Sequence, residues 1–249
     1  MESKRIEIVA RRLLSANYVA ALTGAGISVE SGIPPFRGKG GLWEKIDPMK
    51  YAHIRSFMTD PADVWQVLLR EMKTVLEKAE PNDGHRGLAR LEAMGLLKTV
   101  ITQNVDGLHQ RAGNSDVIEF HGNFADYYCL DCGLRKHFGD IDLTTLPPRC
   151  VCGGIIRPDC VFFGEEIPRA LLQRSQEIAS RCDLMLVIGT SALVQPAAFM
   201  PVIARDHGAA VIEINPDPTP LTGTISDMLI QGKAGASLNA IIEVLERMR

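Results

Sequence analysis

The sequence predicts an α/β fold: a Rossmann-like parallel sheet with a second, smaller lobe. Three observations predict it. Short apolar runs recur along the 249 residues with helical stretches between them, the rhythm of a parallel sheet and its crossover helices. Most of these runs are continuously apolar rather than alternating, as in strands covered on both faces. The first run leads directly into "GAG" (24–26), the opening of a glycine turn of the dinucleotide-binding kind.

The elements follow in order. A helical pattern over 3–15 precedes the run "NYVAALT" (17–23). Further strands are expected at 97–103, 116–120, 183–189, 209–215 and 227–232, and further helices at 61–79, 84–94, 168–181, 196–206 and 235–248. In "DPADVW" (60–65), Asp60 caps a helix whose first position takes Pro61. Residues 215–223, "NPDPTPLTG", read as a loop. Residues 39–80 hold helices with no strand between them, and 126–158 are rich in Cys, Gly and Pro. These two segments are expected to build the smaller lobe, leaving 1–38, 81–125 and 159–249 for the larger, nucleotide-binding one.

Composition narrows the function. Lys and Arg number 27 against 30 Asp and Glu, a net charge of −3, which gives no electrostatic case for nucleic acid or an anionic membrane. The start, "MESKRIEIVARRLL", is charged and amphipathic, without the apolar core of a signal peptide, and no apolar run reaches the length of a membrane span. Six cysteines in a chain of this size are then not an extracellular disulfide framework, and a reducing cytoplasm is expected.

Four of those cysteines form a pattern. Cys129 and Cys132 make C-x-x-C, and Cys150 and Cys152 make C-x-C, each pair followed by glycine. Two pairs at this separation predict a structural Zn²⁺ held by four thiolates, closed and therefore without a catalytic role. A redox pair is the alternative, and the C-x-C spacing is tighter than usual. Cys160 and Cys182 stand alone and are expected to be buried, inert thiols.

The strand ends carry the remaining candidates. Gly24 and Gly26 would let the backbone approach a pyrophosphate, with a helix start near Ser28 offering free amides. A plain strand-to-helix turn is the rival, because Val29 stands where the third glycine of G-x-G-x-x-G would be. The loop then runs on through Pro34 and Pro35 to "FR", long enough to fold over a ligand. The second strand ends in Gln103, Asn104 and Asp106, the third in His121, and two later ones in Gly189–Thr190–Ser191 and in Asn215 with Asp217. Ligands of open α/β sheets bind at these carboxyl ends. Asn104 or Asp106 would serve equally as a helix cap. The position of His121 at a strand end favours a catalytic role.

Together these residues resemble the sirtuin family of NAD-dependent protein-lysine deacylases. The likeness runs through "GAGISVESGIPPFRG", "GLW", "TQNVDGLHQRAG", "HG", the two cysteine pairs, "RPDCVFFGE", "GTSALVQPAA", "INPD" and "GKAG". The resemblance implies a Rossmann-like lobe, a small lobe of helices plus a zinc ribbon, and NAD and an acyl-lysine peptide in the cleft between them. It implies that Gly24, Ala25 and Gly26 lie by the pyrophosphate, that Phe36 shields the reacting ribose carbon and that Arg37 lies over the phosphates. Gln103 and Asn104 would hold the nicotinamide ribose, and Asp106, with the Ile33 backbone, the carboxamide. Gly189, Thr190 and Ser191 would touch phosphate and ribose, Asn215 the adenosine ribose, and Lys233 and Ala234 the adenine. Val161, Phe162, Phe163 and Gly164 would pair with the peptide as an added strand. His121, as a neutral base, would take a proton from the ribose hydroxyls while the acyl group passes to ADP-ribose.

Sirtuins that prefer succinyl-lysine resemble one another in a Tyr-x-x-Arg pair. Here Leu68 and Glu71 fall at those positions, so acetyl or longer apolar acyl groups are expected, with Glu71 repelling a distal carboxylate. The rivals are mono-ADP-ribosyl transfer on the same scaffold, a binding module that has lost catalysis and, more distantly, a dehydrogenase.

Overall fold

The computed structural model describes residues 2–36 and 40–249. Its larger sheet has the parallel order β3-β2-β1-β7-β8-β9, with β1 Val19–Thr23, β2 Leu97–Thr102, β3 Val117–Glu119, β7 Leu184–Ile188, β8 Ala210–Asn215 and β9 Met228–Gln231. All six expected strands are present. The chain winds outward from β1 in one direction and from β7 in the other. The switch point therefore lies between β1 and β7, where ligands of such sheets bind.

Continuous apolar strands are buried on both faces here because each face has its own cover. Val19 and Ala21 of β1, with Leu184, Leu186 and Ile188 of β7, pack under helices Glu2–Ser15, Asp83–Ala93 and Ala234–Met248. Ala20 and Leu22, with Met185 and Val187, point the other way, toward helices Arg169–Arg181 and Met200–Asp206. The period-two alternation of side chains splits one apolar run between two cores.

A third apolar cluster is separate. It joins Phe57, Trp65, Leu68 and Leu69 from the helical segment to Phe124, Tyr127, Ile156 and Phe162. Its framework is a small antiparallel sheet, β5-β4-β6, of β4 Gly122–Cys129, β5 Arg135–His137 and β6 Ile156–Cys160. Trp65 is fully buried, and its Nε1 donates to the Ile156 carbonyl at 3.0 Å, fastening the helices to this sheet. Strands β4 and β6 run continuously across positions 125/126 and 158/159, where the sequence suggests lobe boundaries.

The expected helix 61–79 is not uniform. Residues Trp65–Leu69 form a π-helical turn between Pro61–Val64 and Arg70–Lys78. The wider turn shifts the inward face of everything that follows it.

Candidate functional site

One cleft of about 820 Å³ opens at the carboxyl ends of β1, β2, β7 and β8 and runs toward the third core cluster. It brings together Gly24, Ala25, Gly26, Phe36, Gln103, Asn104, His121, Gly189, Thr190, Ser191, Asn215, Lys233 and Ala234, with Val161, Phe162, Phe163 and Gly164 on its other side. Ile33 and Asp106 are not among its lining residues, and Arg37 lies outside the described residues.

The glycine turn differs from the expected one. It passes directly into a 3₁₀ helix, Ala25–Ser31, rather than into an α-helix starting near Ser28. The glycines are needed for close backbone packing between the two strand ends at the switch point. A Cβ on Gly26 would come within 2.7 Å of the Gly189 oxygen, and one on Gly24 within 2.8 Å of Thr190 Cβ. The Gly26 amide donates to that same Gly189 oxygen at 2.7 Å, so it is committed to the protein. Gly189 has φ +60°, and its own Cβ would meet the Ile27 nitrogen at 2.4 Å.

Asn104 is held from two sides. Its Nδ2 donates to the Gly24 carbonyl at 3.1 Å and to Ser28 Oγ at 3.0 Å, while its side-chain oxygen takes no hydrogen bond among the described residues. Gln103 Nε2 donates to Thr190 Oγ1 at 3.0 Å, tying the second strand end to the seventh. Asp106 behaves as a cap and a network member: Oδ1 accepts the Leu108 amide at 3.0 Å and Oδ2 the Ser28 hydroxyl at 2.7 Å.

Beneath Asn104 lies a buried polar layer that sequence reasoning passed over. The His85 and His109 rings meet edge to face at 4.9 Å. The backbone amide of Asn82 donates to His85 Nδ1 (3.3 Å), leaving Nε2–H to face Ser28 Oγ, also at 3.3 Å. His109 Nε2 lies 2.9 Å from Thr23 Oγ1, which donates to Thr102 Oγ1, the acceptor of the Asn104 amide. Burial holds both imidazoles neutral, with pKa lowered to about 4 for His85 and about 3 for His109. Ser28 and His109 lie inside quoted motifs, "GAGIS" and "TQNVDGLHQRAG", but without a role assigned there; His85 sits inside a helical stretch.

His121 Nδ1 lies 3.0 Å from the Gln103 carbonyl. A carbonyl only accepts, so Nδ1 carries the proton and Nε2 keeps its lone pair, on a ring that lines the cleft. Burial lowers the His121 pKa, partly offset by the bond to Gln103, so the neutral form persists below the usual imidazole range.

The segment 161–164 is anchored on both sides. The Val161 amide donates to the His121 carbonyl at 2.9 Å; Phe163 donates to the Ala52 carbonyl at 2.9 Å and accepts the Ile54 amide at 3.0 Å. Gly164 has φ +84°, and a Cβ there would come within 2.6 Å of His53 Cε1. The Val161 carbonyl and the Gly164 amide make no hydrogen bond among the described residues, which leaves polar groups for an added strand. Cys160 corrects the expectation of a buried thiol: it is half-buried and lines the cleft, and burial of its sulfur pushes its pKa up to about 12. Cys182 is buried as expected.

The apolar end of the cleft also needs a correction. Leu68 and Leu69 line it, but Glu71 is exposed and does not; Met72 takes the inward place. The π turn over Trp65–Leu69 is the physical reason, because it carries an extra residue that an ungapped reading cannot see.

The four cysteines of the ribbon converge. Their sulfur atoms lie within 4.8 Å of one another, with Cys129–Cys152 at 3.5 Å and Cys132–Cys150 at 3.7 Å. These spacings are far too long for disulfides and close to the ~3.8 Å edge of a tetrahedron with Zn–S bonds of about 2.3 Å. Gly133 and Gly153 turn the two knuckles at φ +71° and +93°, and Gly154 leaves the room in which a Cβ would approach Cys129 Sγ to 2.6 Å. The donor set fits Zn²⁺.

A cleft at the switch point of a parallel sheet, in a fold that also carries a metal-ready ribbon, defines a nucleotide-binding α/β protein. The family follows from comparison. The Sir2 family model matches residues 24–196. The chain is 46% identical over 240 residues to the NAD-dependent protein deacylase 2 of Pyrobaculum aerophilum, covering 96% of this chain and 95% of that one. It superposes on a mutant Sir2 homologue in complex with ADP-ribose with a TM-score of 0.92 at 42% identity, covering 97% of each chain. A Sir2 bound to a p53 peptide and NAD⁺ gives 0.88 at 35% identity, covering 96% of this chain and 97% of that one. This chain belongs to the Sir2 family.

Proposed function

We propose that the protein is an NAD-dependent protein-lysine deacetylase that passes the acyl group to ADP-ribose and releases nicotinamide. The observation that carries this reading is a single cleft in which His121 keeps a free imidazole nitrogen, Asn104 keeps a free side-chain oxygen, and 161–164 offers an unpaired strand edge. A dehydrogenase also uses a base, but it has no use for the peptide edge.

NAD, when bound, supplies an electrophilic ribose carbon for the acyl oxygen and, after nicotinamide leaves, the ribose hydroxyl that accepts the acyl group. This chain's residues do the rest. Gln103 and Asn104 hold the nicotinamide ribose, with Asn104 kept in place through Gly24 and Ser28. His121 Nε2 takes the proton from the ribose hydroxyls. Asp106, with the Ile33 backbone, takes the carboxamide. Gly189, Thr190 and Ser191 take phosphate and ribose, Asn215 the adenosine ribose, and Lys233 and Ala234 the adenine. Phe36, stacked on Trp43 at 5.1 Å, covers the cleft. Val161 and Phe163 wall the acyl-lysine path, and Leu68, Leu69 and Met72 receive the acyl group. One Zn²⁺ on Cys129, Cys132, Cys150 and Cys152 orders the ribbon.

The same reading divides the chain into a larger lobe, 1–38, 81–125 and 159–249, and a smaller one, 39–80 and 126–158. Separate apolar clusters support it. It also places the protein in the cytoplasm, supported by six free cysteines. No described helix is long and apolar enough to cross a membrane.

The test is incubation with NAD and an acetyl-lysine peptide, read by mass. Loss of acetyl from the peptide, with nicotinamide and an acylated ADP-ribose in equal amounts, is the expected outcome. ADP-ribose attached to the peptide would establish the rival transferase instead.

A further inference from the structure

The loop from Arg157 to Glu165 carries a buried ion pair that the chemistry at His121 does not use. The Arg157 side chain is only 3% exposed. Its guanidinium meets the Glu165 carboxylate with two parallel bonds, Nη1 to Oε1 at 2.7 Å and Nη2 to Oε2 at 2.8 Å. Nη2 also donates to the Cys160 carbonyl at 2.6 Å, and Nε to the Pro158 carbonyl at 3.3 Å. Glu165 reaches back into the loop as well. Its Oε2 accepts the Phe162 amide at 2.8 Å, and its own amide donates to the Phe162 carbonyl at 3.1 Å. The guanidinium lies 4.6 Å from the centre of the Phe162 ring, and Phe57 packs on the far part of that ring at 5.3 Å.

The Glu165 side chain is 25% exposed, but burying the guanidinium is costly, and an apolar side chain would fill its space at no greater cost. What it supplies is geometry. A planar fork on a carboxylate fixes direction as well as distance. It turns Phe162 inward, so Val161 and Phe163 face the other way. Val161 is hydrogen-bonded to the His121 carbonyl, so the peptide edge and the base are held in one register.

We propose that Arg157 is a positioning residue for the acyl-lysine peptide: through Glu165 and the Cys160 carbonyl it sets the strand 161–164 on which the peptide docks. This rests on the reading of 161–164 as the peptide edge. NAD binds at the other strand ends, so peptide and NAD kinetics should separate.

The test compares Glu165→Gln, which keeps the shape and loses the charge, with Arg157→Met and Arg157→Lys. In Glu165→Gln and Arg157→Met the KM for an acetyl-lysine peptide should rise about tenfold, as expected for a lost charge-assisted bond. The KM for NAD should move less than about twofold, and kcat at saturation less than about threefold. Arg157→Lys, with one bond in place of the fork, should fall between wild type and Arg157→Met. Should Arg157→Met not fold, Glu165→Gln and Arg157→Lys carry the comparison, and faster hydrogen exchange at the Phe162 amide gives a readout independent of turnover. A fall in kcat alone would overturn the proposal as a mere loss of folded enzyme, and a parallel rise in both KM values would overturn it as a general distortion of the cleft. Wild-type protein that leaves the peptide acylated overturns the deacetylase reading. Wild-type turnover with an unchanged peptide KM in the variants overturns the positioning role alone.

Discussion

His121 is poised by one bond. The Gln103 carbonyl fixes its tautomer and leaves Nε2 basic, while burial lowers the pKa. The acid limb of kcat/KM against pH should therefore have its midpoint below the ordinary imidazole value of about 6.5. His121→Ala should cost about 10²–10⁴-fold in kcat, with the KM for NAD little changed. A midpoint above that value would contradict the burial argument. The neutral pair His85 and His109 makes a second prediction, about stability. Their pKa values are depressed to about 4 and about 3, against about 6.5 in the unfolded chain. The stability they contribute is therefore complete above pH 6.5 and is lost as pH falls toward those folded values. Each should lower the unfolding free energy as pH falls through that window, with a limiting slope of one proton. Urea denaturation at pH 6.5 and pH 5 measures this, and His109→Asn should reduce the slope by about one proton.

At the scale of elements, the π turn Trp65–Leu69 has the largest functional consequence. It places Leu68, Leu69 and Met72 at the apolar end of the cleft and leaves Glu71 in solvent. A succinyl carboxylate would meet three apolar side chains without a partner, and an unpaired buried charge is strongly disfavoured. One peptide carrying either acyl group should show kcat/KM for acetyl above that for succinyl by about tenfold or more. Equal values would mean that the acyl group does not reach these residues. The same outcome is expected from the sequence, but the structure gives it a different reason: desolvation of the carboxylate rather than repulsion by Glu71, which is exposed. The 3₁₀ turn is a similar case. The spacing of Gly24 and Gly26 marks a ligand turn, yet both glycines are required by the approach of Gly189 and Thr190 from a strand distant in sequence.

For the whole molecule, two large cores flank the parallel sheet, and a third stands on the ribbon and the helical segment. The two turns that carry the four thiolates are drawn together at the end of the ribbon, so the metal should account for much of its order. Metal analysis should find one zinc per chain. Cys129→Ala or Cys150→Ala, or a strong chelator, should melt the small lobe and abolish turnover while the six-stranded sheet keeps most of its helical signal in circular dichroism. Active protein free of zinc would refute this.

The sequence alone determined the strands of the large sheet and their order of appearance, the four thiolates, and the strand-end residues from Gln103 to Asn215. These follow from local pattern: apolar runs, Cys-x-x-Cys spacing, and polar residues directly after a strand. Tertiary structure decided what depends on partners far apart in the chain. It joined Gly26 to Gly189, seated Asn104 on Ser28, put Met72 rather than Glu71 in the cleft and kept Asp106 out of its lining as a cap. It also closed Arg157 on Glu165 and stacked His85 against His109. Hydrophobic periodicity specifies which face of an element is buried. It carries no information about which buried polar group will find which partner, because those pairings form only when separate elements pack together.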